Sequence, residues 1–294
     1  MTTPGGAVSA GAPLVGRGKR RWSRLAMREA RDGYLFVAPW LLGFALFTAG
    51  PMLASAVLAL MRYNLFSPPV WVGLANIKKL VSDDIVWLSL WNTAYYTFLS
   101  VPLRLIASLV LALLCVQKIR FTAWFRTFFY LPSVTPAVAM AIVWFWILNP
   151  DVGLANTVLR AIGLPPSKWI WDPKTSKSTF VLMQMWTAGG NTMVIFLAGL
   201  QNIPQSLYEA AQIDGASGWA QFKNVTVPML SPVILFNLVM GIIGSFQVFT
   251  GAFLMTAGGP ANSTLFSVLY MYRLAFEQFE MGYASAFAWL LFLV

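Results

Sequence analysis

The chain has 294 residues, 58% of them apolar and only 10% charged, and it carries a net charge of +10. Soluble domains carry about 25% charged residues, so this chain cannot clothe a water-exposed surface and is read as a membrane protein. It has no histidine and one cysteine, Cys115, which excludes a zinc site of the usual Cys/His kind and an internal disulfide.

Positive charge gathers ahead of the first apolar run, in Arg17, Lys19, Arg20, Arg21, Arg24, Arg28 and Arg31. That is the cytoplasmic flank of a first membrane helix. No basic face interleaved with aromatics follows, so nucleic acid is not an expected partner. Residues 1–33 are expected to form a basic cytoplasmic tail, largely disordered, with Met1 to Gly18 rich in Gly, Ala and Pro.

A helix needs about 20 apolar residues to cross the hydrocarbon core. The first such run is Tyr34 to Met61. It is about twice as long as the 7–15-residue apolar region of a signal peptide, so it is expected to remain as an uncleaved first span. An external loop then reaches residue 90, and its Asp83-Asp84 pair is expected to be solvated. The second span is Trp91 to Val116 and holds Arg104 near its centre, where charge is costly. Arg104 is expected to face a wet cavity or pair with a group on a partner subunit, a structural or cavity role being favoured over direct solute contact. The third span is Thr127 to Leu148, the fourth Thr179 to Leu200 and the fifth Pro232 to Met255. A sixth begins near Met281 and is still apolar at Val294, so it is expected to be incomplete.

The expected fold is therefore all-α, a polytopic membrane protein of six transmembrane helices. Residues 34–90 would be the first helix and its external loop, and residues 91–294 the core domain. Lys and Arg distribution puts the amino terminus in the cytoplasm, residues 64–90 and 149–178 outside, and residues 201–231 inside.

The inside loop, residues 202–228, has its own pattern. Ser206 and Glu209 read as an S-x-x-E capping box that starts a short helix. Leu207, Ala210 and Ala211 give that helix an apolar side, and Gly215 permits the left-handed turn that ends it. Ser217 is expected to cap a second short helix with Trp219, Phe222 and Val225 on one face, and Pro228 to close the segment. A helix lying on membrane lipid would explain the apolar stripe alone. It would not explain the acidic residue, paired alanines and tight turn, which instead suit close approach by a partner whose Arg can pair with Glu209.

Glu209-Ala210-Ala211, Asp214-Gly215-Ala216 and Pro228 together resemble the EAA motif of ABC importer permeases. With Leu207-Tyr208, Trp219, Phe222 and Thr226-Val227-Pro228, the loop is most similar to the sugar-importer branch, the maltose-type and glycerol-phosphate-type permeases. Val227 stands where Leu is more usual. Leu131-Pro132, Trp144 and the stretch from Asn149 to Asn156 resemble that family's third span and following loop. Gly258-Gly259-Pro260 with Ser263-Thr264 resembles the segment after its fifth span.

The resemblance covers residues 91–294 and implies the type I ABC importer permease fold. The implied function is that of the permease subunit of an ATP-driven, binding-protein-dependent importer of a sugar, a di- or oligosaccharide, in the bacterial plasma membrane. It implies that Glu209, Ala210, Ala211, Asp214 and Gly215 belong to a coupling helix seated in a cytoplasmic ATPase. The implied partners are two ATPase subunits that bind ATP and magnesium, a second related permease subunit, and an extracellular or periplasmic solute-binding protein. The chain itself has no G-x-x-x-x-G-K-[ST] phosphate loop, so no catalytic residue, cofactor or metal is expected in it.

Polar groups inside spans are candidate path residues because each is costly in lipid and tends to face a cavity. By position against a maltose-type permease, the resemblance puts Ser133 and Ala137 of the third span on the solute path. It puts Gln184, Trp186, Thr187 and Ala188 of the fourth span there too, with Gly241 and Ser245 of the fifth. The competing role for each is helix-packing glue. A rival function is an ion-coupled secondary transporter, but none of the ten Asp and Glu lies in the middle of a span.

Overall fold

The computed structural model describes residues 24–117 and 121–294. Arg17 to Arg21 of the basic cluster, Lys118 and Arg120 lie outside the described residues. Contacts divide the chain into two compact units, Met1–Ala54 and Ser55–Val294.

In the first unit, α1 (Arg24–Phe44) starts ahead of Tyr34 and runs through a π turn, Ala45–Ala49, into α2 (Gly50–Ala59). The π turn has a local cause. Pro51 has no N–H, and in a regular helix its ring would clash with the carbonyl four residues back. Widening the turn lets the Gly50 N–H reach the Ala45 carbonyl, and the helix continues past the proline.

The second unit opens with the tail of α2 and a minimal antiparallel pair, β1 (Met61–Arg62) and β2 (Val70–Trp71). A short helix, α3 (Ala75–Ser82), leads to α4 (Asp84–Val116). At 33 residues α4 is about 50 Å long, well beyond the ~30 Å hydrocarbon thickness. The rest of this unit packs around it.

One side of α4 is a buried stripe of small and polar residues that includes Ser89, Thr93, Thr97, Ser100 and Ser108. The spacing keeps them on one helix face, where small side chains allow close approach and hydroxyls supply inter-helix bonds. Thr93 pairs with Ser267 at 3.0 Å, Ser245 donates to Thr97 at 2.9 Å, and Ser108 donates to the Ala188 carbonyl at 2.6 Å. Asn92 donates to the carbonyls of Asn262 and Leu265. These bonds tie α4 to three later segments that sequence distance keeps far apart.

Asp83 corrects the expectation of a solvated acidic pair. Its Oδ1 accepts the Ile85 N–H at 2.9 Å, capping α4, while its Oδ2 accepts the hydroxyls of Tyr283 (2.7 Å) and Tyr270 (2.9 Å). Asp84 beside it is exposed. Lys79 adds to this clasp, bonding Glu280 and sitting 4.1 Å over the Tyr283 ring.

The third and fourth expected spans are each broken. The third is α5 (Thr122–Val134) and α6 (Ala137–Ile147), which meet at 96°. Pro136 forces Thr135 out of helical geometry to an extended φ of −68° and ψ of 129°. After α7 (Leu154–Ala161), the fourth is α8 (Ser176–Met185) and α9 (Asn191–Gln201), separated by a turn at residues 186–190. The glycines of that turn let α5 lie against it. A Cβ on Gly189 would come within 2.9 Å of Phe129 Cβ and closer still to its carbonyl, and one on Gly190 would lie 2.6 Å from Ser133 Cβ.

The chain continues through α10 (Gln205–Ile213), α11 (Gly218–Gln221), a π turn at Phe222–Thr226 and α12 (Val227–Phe246). It ends with α13 (Thr250–Met255), α14 (Ser267–Tyr272), another π turn and α15 (Met281–Leu293). Among the described residues three continuous stretches are long and apolar enough to cross a membrane, Arg24–Ala59, Asp84–Val116 and Gly218–Met255. The bent α5–α6 pair makes a fourth, and α9 and α15 are shorter apolar helices.

Two measurements test these contacts. Gly189→Val forces a side chain into the Phe129 backbone, so the purified transporter should lose about 1–3 kcal/mol of stability. An unchanged melting temperature would show that the break has room. For Asp83, burial opposes ionisation, but the Tyr283, Tyr270 and backbone donors outweigh it and hold the carboxyl below its ordinary 3.8. Its stabilising contribution is therefore complete above that ordinary value and fades as pH falls through the lower folded value. Asp83→Asn keeps a good cap residue but loses the charge. Its melting temperature should lie below that of the parent at pH 7, and the gap should close under acid conditions.

Candidate functional site

Two places concentrate the residues singled out by the sequence. At the loop, α10 starts after Pro204, which occupies the cap position with an extended backbone, and no side chain caps it. The expected Ser206–Glu209 capping box is therefore not formed: the proline sets the helix start, leaving Ser206 inside the first turn. The other end is as expected. Gly215 adopts φ +73°, its N–H bonds the Gln212 carbonyl at 3.0 Å, and the Ala216 N–H bonds the Ala211 carbonyl at 2.8 Å. That is the paired pattern of a Schellman cap. Ser217 Oγ accepts the Ala220 N–H at 3.3 Å, capping α11, and Trp219 stacks on Phe222 with centroids 5.4 Å apart.

Pro228 does not close the segment. Val227 donates to the Phe222 carbonyl across a π turn, and the helix continues into α12, the same device seen at Pro51. The loop is anchored from below. Ile203 is buried with Leu200, Leu230 and Cys115, Tyr208 bonds Thr226 at 2.9 Å, and Gln221 donates to the Ala216 carbonyl. Its outer surface is bare: no residue of α10 is buried, Ile213 is 88% exposed and Trp219 72%. Glu209 makes no ion pair among the described residues, and with Asp214 it stands exposed beside Ala210. The outer face of this short helix thus carries exposed apolar and anionic groups on a braced base.

The second place is a cavity of ≈ 360 Å³ beside the middle of α4. Three helix interruptions meet there: Ser133, Thr135 and Ala137 from the α5–α6 bend, Thr187 and Asn191 from the α8–α9 break, and Val248 from the α12–α13 break. Gln184, Trp144 and Tyr96 complete much of the wall. Of the path candidates, Ser133, Ala137, Gln184 and Thr187 line this cavity. Gly241 and Ser245 line a narrow neighbour of ≈ 20 Å³ that shares Gln184 and Arg104 with it. Trp186 and Ala188 line neither. Trp186 packs edge-on against Trp144, and Ala188 is buried with its carbonyl held by Ser108.

Arg104 lines both spaces and is the one charged residue in either wall. Its mid-span position was visible in the sequence. The cavity place of Tyr96 was not, because hydropathy along the unbroken α4 does not mark which face meets a cavity. Asn191 accepts the Tyr130 hydroxyl at 3.1 Å.

A family described as binding-protein-dependent transport system inner membrane component matches residues 104–294. The chain is 41% identical to the probable ABC transporter permease protein YesP of Bacillus subtilis (strain 168), over 92% of this chain and 89% of that one. It is 36% identical to the lactose transport system permease protein LacF of Rhizobium radiobacter, over 92% and 93%. The chain belongs to this permease family.

A crystal structure of a bacterial alginate ABC transporter in complex with an alginate-pentasaccharide-bound periplasmic protein has a chain of the same fold. Its TM-score is 0.78 at 23% identity, covering 91% of this chain and 92% of that one. The permease fold expected from the EAA resemblance is thus present. Membership also sets aside the ion-coupled rival, since the family serves binding-protein-dependent transport.

The permease loop yields its own test. A β-branched residue at Gly215 must adopt left-handed geometry, which costs about 1–2 kcal/mol. In the purified transporter, Gly215→Val should raise amide exchange at residues 213–216, while Gly215→Asn, which tolerates that geometry, should not. Equal exchange in all three proteins would mean the cap is unimportant.

Proposed function

We propose that this permease forms half of a path for a di- or oligosaccharide and takes its energy from an ATPase gripping α10. The convergence of three helix breaks on one polar cavity carries the reading. Non-helical backbone at membrane depth is tolerated only where protein buries it or a cavity receives it, and discontinuous helices are how transporters build midplane sites. A wall of amide and hydroxyl groups with Trp144 and Tyr96 suits a hydroxylated ring, whose edges hydrogen-bond and whose faces stack. The relative named for lactose transport supports the same solute class.

In this reading Ser133, Ala137, Gln184 and Thr187 contact or border the solute. Gly241 and Ser245 shape the adjoining constriction, while Trp186 and Ala188 hold the break in position from behind. The loop from Glu209 to Gly215, with Ala210, Ala211 and Asp214, seats in a groove of a partner ATPase. That places residues 202–228 and the amino terminus in the cytoplasm, in agreement with the basic first flank. ATP and magnesium belong to a pair of such ATPase subunits, and the permease holds no hydrolytic centre of its own. A second, related permease subunit closes the open side of the path, and a binding protein outside supplies the solute.

The test is Glu209→Lys in the complete transporter. Reversing the charge at the tip should cut ATP-driven uptake at least tenfold, leave the permease in the membrane, and separate ATPase activity from transport. Unchanged uptake with unchanged ATPase association would sink the coupling assignment.

A further inference from the structure

We propose that the solute crossing this cavity is a sugar bearing an anionic group, a carboxylate or a phosphate ester, and that Arg104 receives it. The inference rests on the reading of the cavity as the solute path and narrows the solute within it.

Arg104 is a permanent charge: a guanidinium stays protonated in any protein environment, so it cannot escape the membrane interior by neutralising. Something must compensate it. Among the described residues three ion pairs exist, Arg31–Asp32, Lys79–Glu280 and Arg273–Glu277, and none involves Arg104. Its Nε is buried without a hydrogen-bond acceptor. No Asp or Glu lines either cavity that it faces. The cation is thus set in a wall of neutral donors and acceptors, and no side chain of that wall offers its N–H groups a charged partner.

A neutral sugar gives no return for such an arrangement, because Gln184, Thr187, Asn191 and Ser133 already supply neutral hydrogen-bonding groups at the same surface. An anionic group does. Carboxylate and phosphate oxygens match the guanidinium fork two at a time, and charge-assisted bonds are about twice as strong as neutral ones. In a low-dielectric cavity that difference separates charged from uncharged sugars of the same shape. The arginine holds the anion while the amide and hydroxyl groups take the ring.

The experiment uses the complete transporter with its binding protein in proteoliposomes and measures ATP-driven uptake of four probes. These are digalacturonate, its dimethyl ester, trehalose 6-phosphate and trehalose. At least one anionic probe should enter ten or more times faster than its uncharged counterpart; which pair shows the preference separates carboxylate from phosphate. Arg104→Gln should cut the ratio of anionic to uncharged uptake at least tenfold, and Arg104→Lys should restore part of it.

Equal uptake of charged and uncharged partners by the parent transporter would overturn the proposal without any variant. So would a preference that survives in Arg104→Gln, since the binding protein would then be its source. Equal loss of all uptake in that variant, or a complex that no longer assembles, would reassign Arg104 to a carboxylate of the second subunit. Uptake of none of the four, together with none of lactose, would sink the sugar reading and this proposal with it.

Discussion

Inside the hydrocarbon of a bilayer each backbone N–H and C=O must find its partner within the protein, and an unsatisfied group costs several kcal/mol. The architecture of this permease follows from how that rule is met where helices stop being helices. Two prolines, Pro51 and Pro228, are absorbed by π turns that re-route one bond and let the helix run on. Three other interruptions, at residues 135–136, 186–190 and 247–249, open the backbone outright. Those three converge on the same cavity. A break scattered elsewhere on the lipid face would have been expensive, and clustering around one cavity avoids that cost.

The helix α4 makes that clustering possible. It is long enough to reach past both membrane surfaces, and its stripe of serines and threonines supplies hydrogen bonds to segments that have lost their own. Ser108 takes up the Ala188 carbonyl in the α8–α9 break, and Thr97 receives Ser245 just ahead of the α12–α13 break. At its beginning, Asp83 gathers two tyrosines from the last part of the chain. Packing of this kind needs small side chains on one face, and that need leaves Arg104 conspicuous: it is the single long cation on a surface otherwise built for close approach.

Much of this was legible in the sequence, and the parts that were not share a cause. Apolar runs, the left-handed Gly215 and the Ser217 cap depend on composition or on residues within one turn, and each was readable locally. The capping box at Ser206 failed because a competing local signal, Pro204, sits two residues earlier and sets the start. The breaks in the third and fourth spans were hidden by hydropathy, which averages over a window and does not register a change of direction. Pro136 was the visible sign of one, and Gly189-Gly190 of the other. Asp83 could not be placed because its partners, Tyr270 and Tyr283, lie almost two hundred residues away, and nothing around Asp83 distinguishes a clasped carboxylate from a solvated one. Cavity residues fell between these cases: the right span was identifiable for Ser133, Ala137, Gln184 and Thr187. For Trp186 and Ala188 the broken helix turned the side chains to another face.

The connection between loop and cavity is covalent and short. From the break at residues 186–190, α9 leads directly into the α10 loop, and α12 leads from that loop back to the break at residues 247–249. At 1.5 Å per residue the two struts are about 16 Å and 30 Å long. Both are packed near the loop through Leu200, Ile203 and Leu230, with Tyr208–Thr226 cross-bracing their ends. Under the proposed coupling, a pull on α10 is not taken up at this base, which packing and the Tyr208–Thr226 bond hold together. The displacement instead passes along two rigid rods to the points where the backbone is already interrupted and resists bending least. Those points carry Thr187, Asn191 and Val248, so motion imposed at the loop is expressed as a change in the shape of the cavity wall.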